Sequence, residues 1–296
     1  RWVFLHLNIS TMEKIKIAIQ KSGRLSEKSL ELLEECGIKI SNGSRKLKTE
    51  ARNFPMEILF LRDDDIPHYV EKGVADIGIL GENEVWEKDR DVKVVEKLGF
   101  GNCRLSLAIP KDEKYTGINY FDGKRVATSY PKILSKYFEE KGLDVEIEQL
   151  GGSVEITTGI GLADGIFDIV STGSTLLMNG LKEAEAILKS EAVLISNKNL
   201  NKEKAELLDQ LLFRISSYKN GQGKKYVLLN VPNEVIPDII KLLPGMRSPS
   251  ILPLADSGWS SVHSVINDED FWDIIDELKK LGAEGILVIP IEKMIL

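Results

Sequence analysis

Ser171, Thr172, Gly173, Ser174 and Thr175 stand in a row between a short apolar run around Asp168 (Ile166, Phe167, Ile169, Val170) and a Leu-rich helical pattern. That succession predicts strand, loop and helix. Backbone N–H groups at the start of a helix have no intrahelical partner and sit at the positive end of its dipole, and a glycine lets the backbone approach an anion closely. Four hydroxyls would complete a phosphate cradle. The loop has neither the Lys of a GxxxxGK[ST] nucleotide loop nor the spacing of a GxGxxG turn, so a monophosphate suits it better. Taken alone, the same residues also suit an ordinary helix N-cap.

Cationic candidates fall at other turns. Ile15, Ile17 and Ile19 alternate as a strand, and Lys21, Ser22, Gly23 and Arg24 form the turn that follows it, before a helix that Ser26 can cap. Arg62 ends a second strand, Ile58 to Leu61. The adjoining acids Asp63, Asp64 and Asp65 point in different directions on an extended chain, which suits a helix N-terminus better than a metal cage. His6, His68 and His263 form no ligand spacing, and Cys36 and Cys103 match no metal or redox motif; the two thiols are expected to be free and buried. Trp259 and Trp272 are expected in a core or an interface.

Strands alternating with helices indicate an α/β sheet. Asp76-Ile-Gly-Ile-Leu-Gly81 and Asp168-Ile-Val-Ser-Thr-Gly173 echo each other, which suggests two similar lobes, each offering loops at the carboxyl ends of its strands. Further strands are expected near Leu105 to Ile109, Arg125 to Thr128 and Val145 to Leu150. The last third changes character. Strands Tyr226–Val231, Ser250–Leu254, Ser260–Ile266 and Gly285–Ile291, with helices Asn233–Leu242 and Glu269–Leu281, give βαββαβ, the ferredoxin-like order. A linking helix, about Lys202 to Tyr218, is expected to pack on the first lobe, with a hinge at Gly221 to Gly223.

The 296 residues are enough for two or three domains, and 43% hydrophobic with 29% charged is ordinary globular composition. A net charge of −7 argues against nonspecific nucleic-acid binding. No run reaches transmembrane length. Residues 1–11, RWVFLHLNIST, precede Met12 without a clear cleavage site and are expected to be a non-native or disordered tail, which makes the cytoplasm the expected location.

The chain resembles the ATP phosphoribosyltransferases over nearly all of Ile15 to Ile295. The resemblance rests on IAIQKSGRLSEKSLELLEECGIKI, LRDDDIPHYVEKGVADIGILGENE, CRLSLAIP, RVATSYP, GLADGIFDIVSTGSTLLMNGL, SPSILPLADSGWSSVHSV and GILVIPIEKMI. The last two resemble the long form of the family, with its C-terminal regulatory domain. What this implies is a bilobal, periplasmic-binding-protein-like catalytic part, with residues 12–98 and 185–220 as lobe I and 99–184 as lobe II. An ACT-like ferredoxin domain over 224–296 would follow it.

The implied reaction moves the phosphoribosyl group of phosphoribosyl diphosphate (PRPP) to N1 of ATP, releases pyrophosphate and opens histidine biosynthesis, with Mg2+ carried mainly on substrate phosphates. By resemblance, PRPP is held by Glu155, Asp168, Ser171, Thr172, Gly173, Ser174 and Thr175. ATP falls to Lys21, Ser22, Gly23, Arg24, Arg45, Arg62, Asp76 and Gly81, with Arg62 and Lys21 catalytic, and Arg45-Lys46 matches an Arg-Lys-Leu stretch of relatives. In many short forms Lys directly precedes Gly, whereas Ser22 intervenes here, so the reach of Lys21 differs. Histidine as feedback inhibitor is assigned to Asn230, Ser250, Val265 and Gly285, and a homo-oligomer, dimer and hexamer, is implied. A non-catalytic bilobal binding or regulatory paralogue would keep the same fold.

Overall fold

A computed structural model describes residues 13–41, 47–243 and 245–296. The tail and Arg45-Lys46 lie outside the described residues. The chain divides between Leu208 and Asp209 into two compact units.

Two sheets build the first unit. β1 (Ile15–Gln20), β2 (Lys48–Glu50), β3 (Met56–Leu61), β4 (Ile77–Gly81), β5 (Val92–Lys97) and β11 (Ala192–Asn197) form a sheet of order β2-β3-β1-β4-β11-β5. β6 (Cys103–Pro110), β7 (Arg125–Thr128), β8 (Glu146–Gln149), β9 (Gly165–Val170) and β10 (Leu181–Ser190) form the second, of order β10-β6-β9-β7-β8. In each, three parallel strands (β3-β1-β4; β8-β7-β9) adjoin one antiparallel strand (β11; β6) that has just arrived from the other sheet. These two exchanges make the bilobal α/β architecture.

The central strands are apolar on both faces, as helices on either side require. In β1, Ile17, Ala18 and Ile19 are all fully buried. In β6, Leu105, Leu107 and Ile109 pack with Phe121, Leu134 and Phe138, while Ala108 faces a second cluster with Ile166, Val170 and Leu176. The first-unit helices are α1 (Arg24–Glu35), α2 (Ile66–Glu71), α3 (Glu82–Lys88), α4 (Pro131–Lys141) and α5 (Ser174–Met178). α1 starts two residues before the expected Ser26 cap, because Gly23 at φ 94 turns the chain directly out of the strand; Ser26 is buried inside the helix. Asp63–Asp65 form a 3-10 turn leading into α2.

Two boundaries differ from those expected. β10 stays paired with β6 through Ser190, so the return to the first sheet comes at Glu191 and not at 185. α6 (Lys202–Gly221) is divided between the units: Lys204 Nζ binds Asp76 at 2.9 Å, whereas Ser217 O accepts Met294 N–H at 2.8 Å. Gly221 is not an open hinge. A Cβ there would meet the Ile291 and Glu292 carbonyls at 3.0 Å, so that stretch is packed against the end of the chain.

The second unit adds β12 (Lys224–Pro232), α7 (Ile236–Leu242), β13 (Ser250–Pro253), β14 (Trp259–Asn267), α8 (Asp268–Lys280) and β15 (Glu284–Pro290). Its sheet is antiparallel, of order β13-β14-β12-β15, the ferredoxin-like arrangement. Val227, Leu229, Val231 and Val262 pack with Ile239, Leu243, Phe271 and Leu278 of the helical side. Trp272 is 75% exposed on α8 and is no part of that core. Cys36 is buried and Cys103 half-buried, and neither is in a disulfide among the described residues.

Candidate active site

In an open α/β sheet the carboxyl ends of the parallel strands are where ligands bind, because the chain reverses there and leaves a crevice. A pocket of about 210 Å³ opens at those ends, lined by Arg24 of the first lobe and by Glu155, Asp168 and the run Ser171–Thr175 of the second. Gly173, at φ 81, occupies the left-handed region and lets the chain turn from β9 into α5. The Thr172 and Ser174 hydroxyls lie 3.0 Å apart, and Ser174 N–H reaches Thr172 Oγ1 at 3.5 Å. α5 has only five residues, so anion binding here falls to loop N–H groups and hydroxyls more than to a helix dipole.

Two carboxylates face the same pocket. Glu155 sits on a 3-10 turn entered through Ser153 at φ 54. Burial pushes Asp168 up to about 6; the Ile169 N–H, donated at 2.7 Å, works against this and the charge of Glu155 adds to it. An anion cradle beside two acids suits a ligand that is phosphorylated at one end and carries hydroxyls or a bound cation at the other.

The first lobe contributes a cationic rim. Lys21 N–H donates to Leu61 O at 2.7 Å, which sets the Lys21–Arg24 turn beside Arg62 at the end of β3. Lys21, Ser22 and Gly23 are exposed there, and Gly81 ends the neighbouring β4 as the N-cap of α3. Arg62 is exposed, with Asp64 at 3.2 Å.

A cleft with a hydroxyl-rich glycine loop on one lobe and arginines on the other narrows the chemistry, and comparison with known proteins decides the family. The family model described as ATP phosphoribosyltransferase matches residues 62–217, and that of the HisG C-terminal domain matches 221–293. The chain belongs to the ATP phosphoribosyltransferase family. The enzyme of that name from Parabacteroides distasonis is 59% identical over 281 residues, 95% of this chain and 99% of its own length. That from Bacteroides fragilis is 56% identical over 282 residues, 95% of this chain and all of its own. Among solved structures, a chain of the ATP phosphoribosyl transferase (HisG:HisZ) complex from Thermotoga maritima is similar with a TM-score of 0.58 and 31% identity. It covers 68% of this chain and 98% of that one.

One residue assigned to ATP by family resemblance is elsewhere. Asp76 precedes β4, at the end opposite the cleft, is 4% exposed, and is occupied by Lys16 N–H at 2.7 Å and Lys204 Nζ at 2.9 Å. It is a structural carboxylate. Among the described residues, no three His, Cys, Asp or Glu side chains gather as a metal cage. The pair Glu155 and Asp168 fits a cation that arrives already chelated by substrate phosphates, since two carboxylates can complete such a shell but not build it.

Further contacts join the lobes or brace the loop through residues to which the sequence assigns no role. Asn83 and Glu84 of α3 meet Tyr130, which follows β7, across the lobes: Asn83 Nδ2 donates to Tyr130 Oη at 3.3 Å and to Glu84 Oε1 at 3.2 Å. Glu84 is 7% exposed, and its pKa is pushed up to about 7 by burial and by Asp63, against the pull of Lys88 and the Tyr130 hydroxyl. Glu87 accepts the N–H groups of Lys132 and Ile133 at 3.2 and 3.1 Å, capping α4 from the other lobe. A glutamate on a short helix looks solvated in a sequence, so nothing there marks these contacts. Arg104, inside CRLSLAIP, reaches the Ser171–Thr175 loop itself, donating from Nη1 to Ser171 O at 3.0 Å.

In the second unit, strand register collects the four regulatory candidates on one side of the sheet. Asn230 lies opposite Ser261, Ser250 opposite His263 and Val265 opposite Tyr226, all on the face turned away from the helices. A Cβ at Gly285, which has φ 58, would lie 3.2 Å from Asn230 Nδ2. His263 is held between them, with Nδ1 2.6 Å from Tyr226 Oη and Nε2 3.1 Å from Ser261 Oγ.

Proposed function

We propose that this protein transfers the 5-phosphoribosyl group of PRPP to N1 of ATP, forming the N1–C1 bond as the C1–O bond to pyrophosphate breaks, the first step of L-histidine biosynthesis. One observation carries the assignment of substrates to lobes: Arg24 of the first lobe lines one pocket with Glu155, Asp168 and Ser171–Thr175 of the second. The 5-phosphate of PRPP takes the loop N–H groups and hydroxyls. Its ribose hydroxyls and diphosphate-bound Mg2+ face Asp168 and Glu155. ATP comes from the opposite side, its phosphates on Lys21, Arg24 and Arg62, with the Ser22-Gly23 and Gly81 backbone beneath it.

Adenine N1 is a weak nucleophile, so the catalytic task is to aim it along the line of displacement and to neutralise the departing pyrophosphate. Arg62 and Lys21, side by side at the strand ends, supply that charge. Mg2+ travels on the substrates and adds charge neutralisation when bound. The ferredoxin-like unit is a histidine-responsive regulator, and the enzyme works as a cytoplasmic homo-oligomer built on dimers, with a hexamer as the larger assembly. No helix among the described residues is long and apolar enough to cross a membrane.

The test is release of pyrophosphate from ATP plus PRPP, with the nucleotide product identified by mass. A protein that binds both substrates but releases none would be a non-catalytic paralogue.

A further inference from the structure

Arg104 and Glu183 make the tightest ion pair near the phosphate loop. Arg104 lies on β6 and Glu183 on β10, and the contact is bidentate: Nε and Nη2 each donate to a Glu183 oxygen at 2.5 Å. Ser106, fully buried two residues along β6, donates to Glu183 Oε1 at 2.7 Å. These bonds hold the Glu183 pKa below the usual carboxylate range, the Arg104 bonds contributing most. A guanidinium gripped along one edge by a carboxylate cannot rotate, so its remaining nitrogen is aimed. That nitrogen, Nη1, meets Ser171 O at 3.0 Å.

Ser171 is the first residue of the cradle. In a planar trans peptide the carbonyl and the following N–H point in opposite directions, so drawing Ser171 O toward Arg104 turns the Thr172 N–H the other way. Among the described residues, no backbone or side-chain acceptor takes the Thr172 N–H. We infer that Arg104, clamped by Glu183, is a positioning residue that presets the peptide plane at Ser171-Thr172 so that the loop meets the 5-phosphate of PRPP with its donors already oriented. This rests on the assignment of PRPP to the loop. Arg104, Glu183, Ser106 and Ser171 are not among the residues assigned to ATP, so the effect belongs to one substrate.

Arg104→Gln and Arg104→Lys separate geometry from charge. Lysine keeps the charge but cannot span Glu183 and Ser171 O together. Both variants are expected to raise the KM for PRPP, and its Kd by calorimetry, by about tenfold, the scale of one charge-assisted hydrogen bond, with the KM for ATP unchanged. Glu183→Gln, which touches no part of the loop, should move the same constant in the same direction. The double variant Arg104→Gln/Glu183→Gln should lose less than the two singles combined, because they act through one unit.

Gly173→Val is the reference for the loop. If it abolishes PRPP binding while folded Arg104→Lys binds PRPP normally, the positioning role is wrong and the loop assignment stands. If Gly173→Val binds PRPP normally, the loop assignment is wrong and the inference goes with it. Equal losses for ATP and PRPP, with a matching fall in melting temperature, would make the clamp merely structural and also overturn it.

Discussion

Asp76 and Asp164 do the same work in the two lobes. Asp76 accepts Lys16 N–H at 2.7 Å and returns its own N–H to Lys16 O at 2.8 Å. Asp164 accepts Arg125 N–H at 3.0 Å and returns its own to Arg125 O at 2.8 Å. Each thus closes a two-way bond on the first parallel strand of its sheet, and each follows a left-handed glycine, Gly73-Val-Ala-Asp76 and Gly161-Leu-Ala-Asp164. Each charge is balanced by a cation, Lys204 at 2.9 Å or Arg125 at 3.1 Å. The internal repeat is therefore real, but its register joins Asp76 to Asp164, not to Asp168.

That relationship predicts how Asp76 should fail. Asp76→Ala leaves Lys204 only its longer pairing with Glu13, at 3.5 Å, and takes the side-chain acceptor from the Lys16 N–H, and breaking a buried pair from one side costs on the order of 3 kcal/mol. Denaturant unfolding should show the loss, while the KM for ATP of the folded variant stays within twofold. A stable Asp76→Ala protein with weakened ATP binding would restore Asp76 to the nucleotide site.

Gly173→Val and Thr175→Ala test the phosphate cradle. At Gly173 an added Cβ has space, its nearest neighbour being Val170 at 3.9 Å, so the cost is the left-handed φ of 81 and not a clash. The loop must then change its path. Thr175→Ala removes one hydroxyl donor, and a hydrogen bond to a charged group is worth about 1.5 to 3 kcal/mol of PRPP affinity. Unchanged PRPP affinity in a folded Thr175→Ala protein would reject the assignment.

Arg62→Ala should behave in the opposite way to Asp76→Ala. Its ion pair with Asp64 is exposed, with the arginine side chain 78% accessible, and such pairs contribute little to stability. Melting should be unchanged and turnover reduced, by roughly tenfold or more if the guanidinium meets developing pyrophosphate charge. Normal kinetics for both substrates would leave Arg62 as plain surface.

The α/β alternation, the loop after β9 and the βαββαβ order were all visible in the sequence because each is a local signal: apolar period, small polar residues, turn dipeptides. Family resemblance supplied the roles of Arg24, Glu155 and Asp168, and these three do share one pocket with the loop. What stayed hidden depends on strands far apart in the chain. Asp76 is assigned to ATP by resemblance, and only strand pairing shows that it occupies the other end of β4. Glu183 meets Arg104 from 79 positions away, and no periodicity reports that. The lobe boundary at 185, implied by resemblance, differs from the exchange at Glu191 because β10 stays paired with β6 through two bulges, a register that only strand pairing shows.

Glu84 gives stability a pH dependence of defined sign. Its pKa in the folded protein is about 7 against a usual 4.5, raised by burial and by Asp63 and Asp64, and lowered in part by Lys88 and Tyr130. Between those values the folded protein holds a proton that the unfolded chain has lost, so this contribution is complete at low pH and disappears as pH rises through 7. The span corresponds to about 3 kcal/mol. Glu84→Gln removes the ionisation and keeps an acceptor for Tyr130, so it should raise the melting temperature at pH 8 and hardly alter it at pH 4.5. An equal shift at both values would mean that the carboxyl does not titrate in this window.

We propose that histidine regulation acts through the open face of the second unit, where Asn230 and Gly285 adjoin and Ser250 and Val265 lie on the same side. An amino acid offers a carboxylate, an ammonium and a side chain to be satisfied together, and this face has an amide, a serine hydroxyl and a left-handed glycine whose backbone is open to close approach. For inhibition, histidine must bind one conformational state of the enzyme better than another, since equal affinity would shift nothing. Two substitutions in the full chain test the face. Asn230→Ala should weaken calorimetric histidine binding by about tenfold, the loss of one or two hydrogen bonds, and move the inhibition curve by the same factor. Gly285→Val, forced into a φ of 58, should abolish both. Binding and inhibition must move together, because they are linked through one equilibrium. Histidine bound with unchanged affinity by both folded variants would place the regulatory site elsewhere.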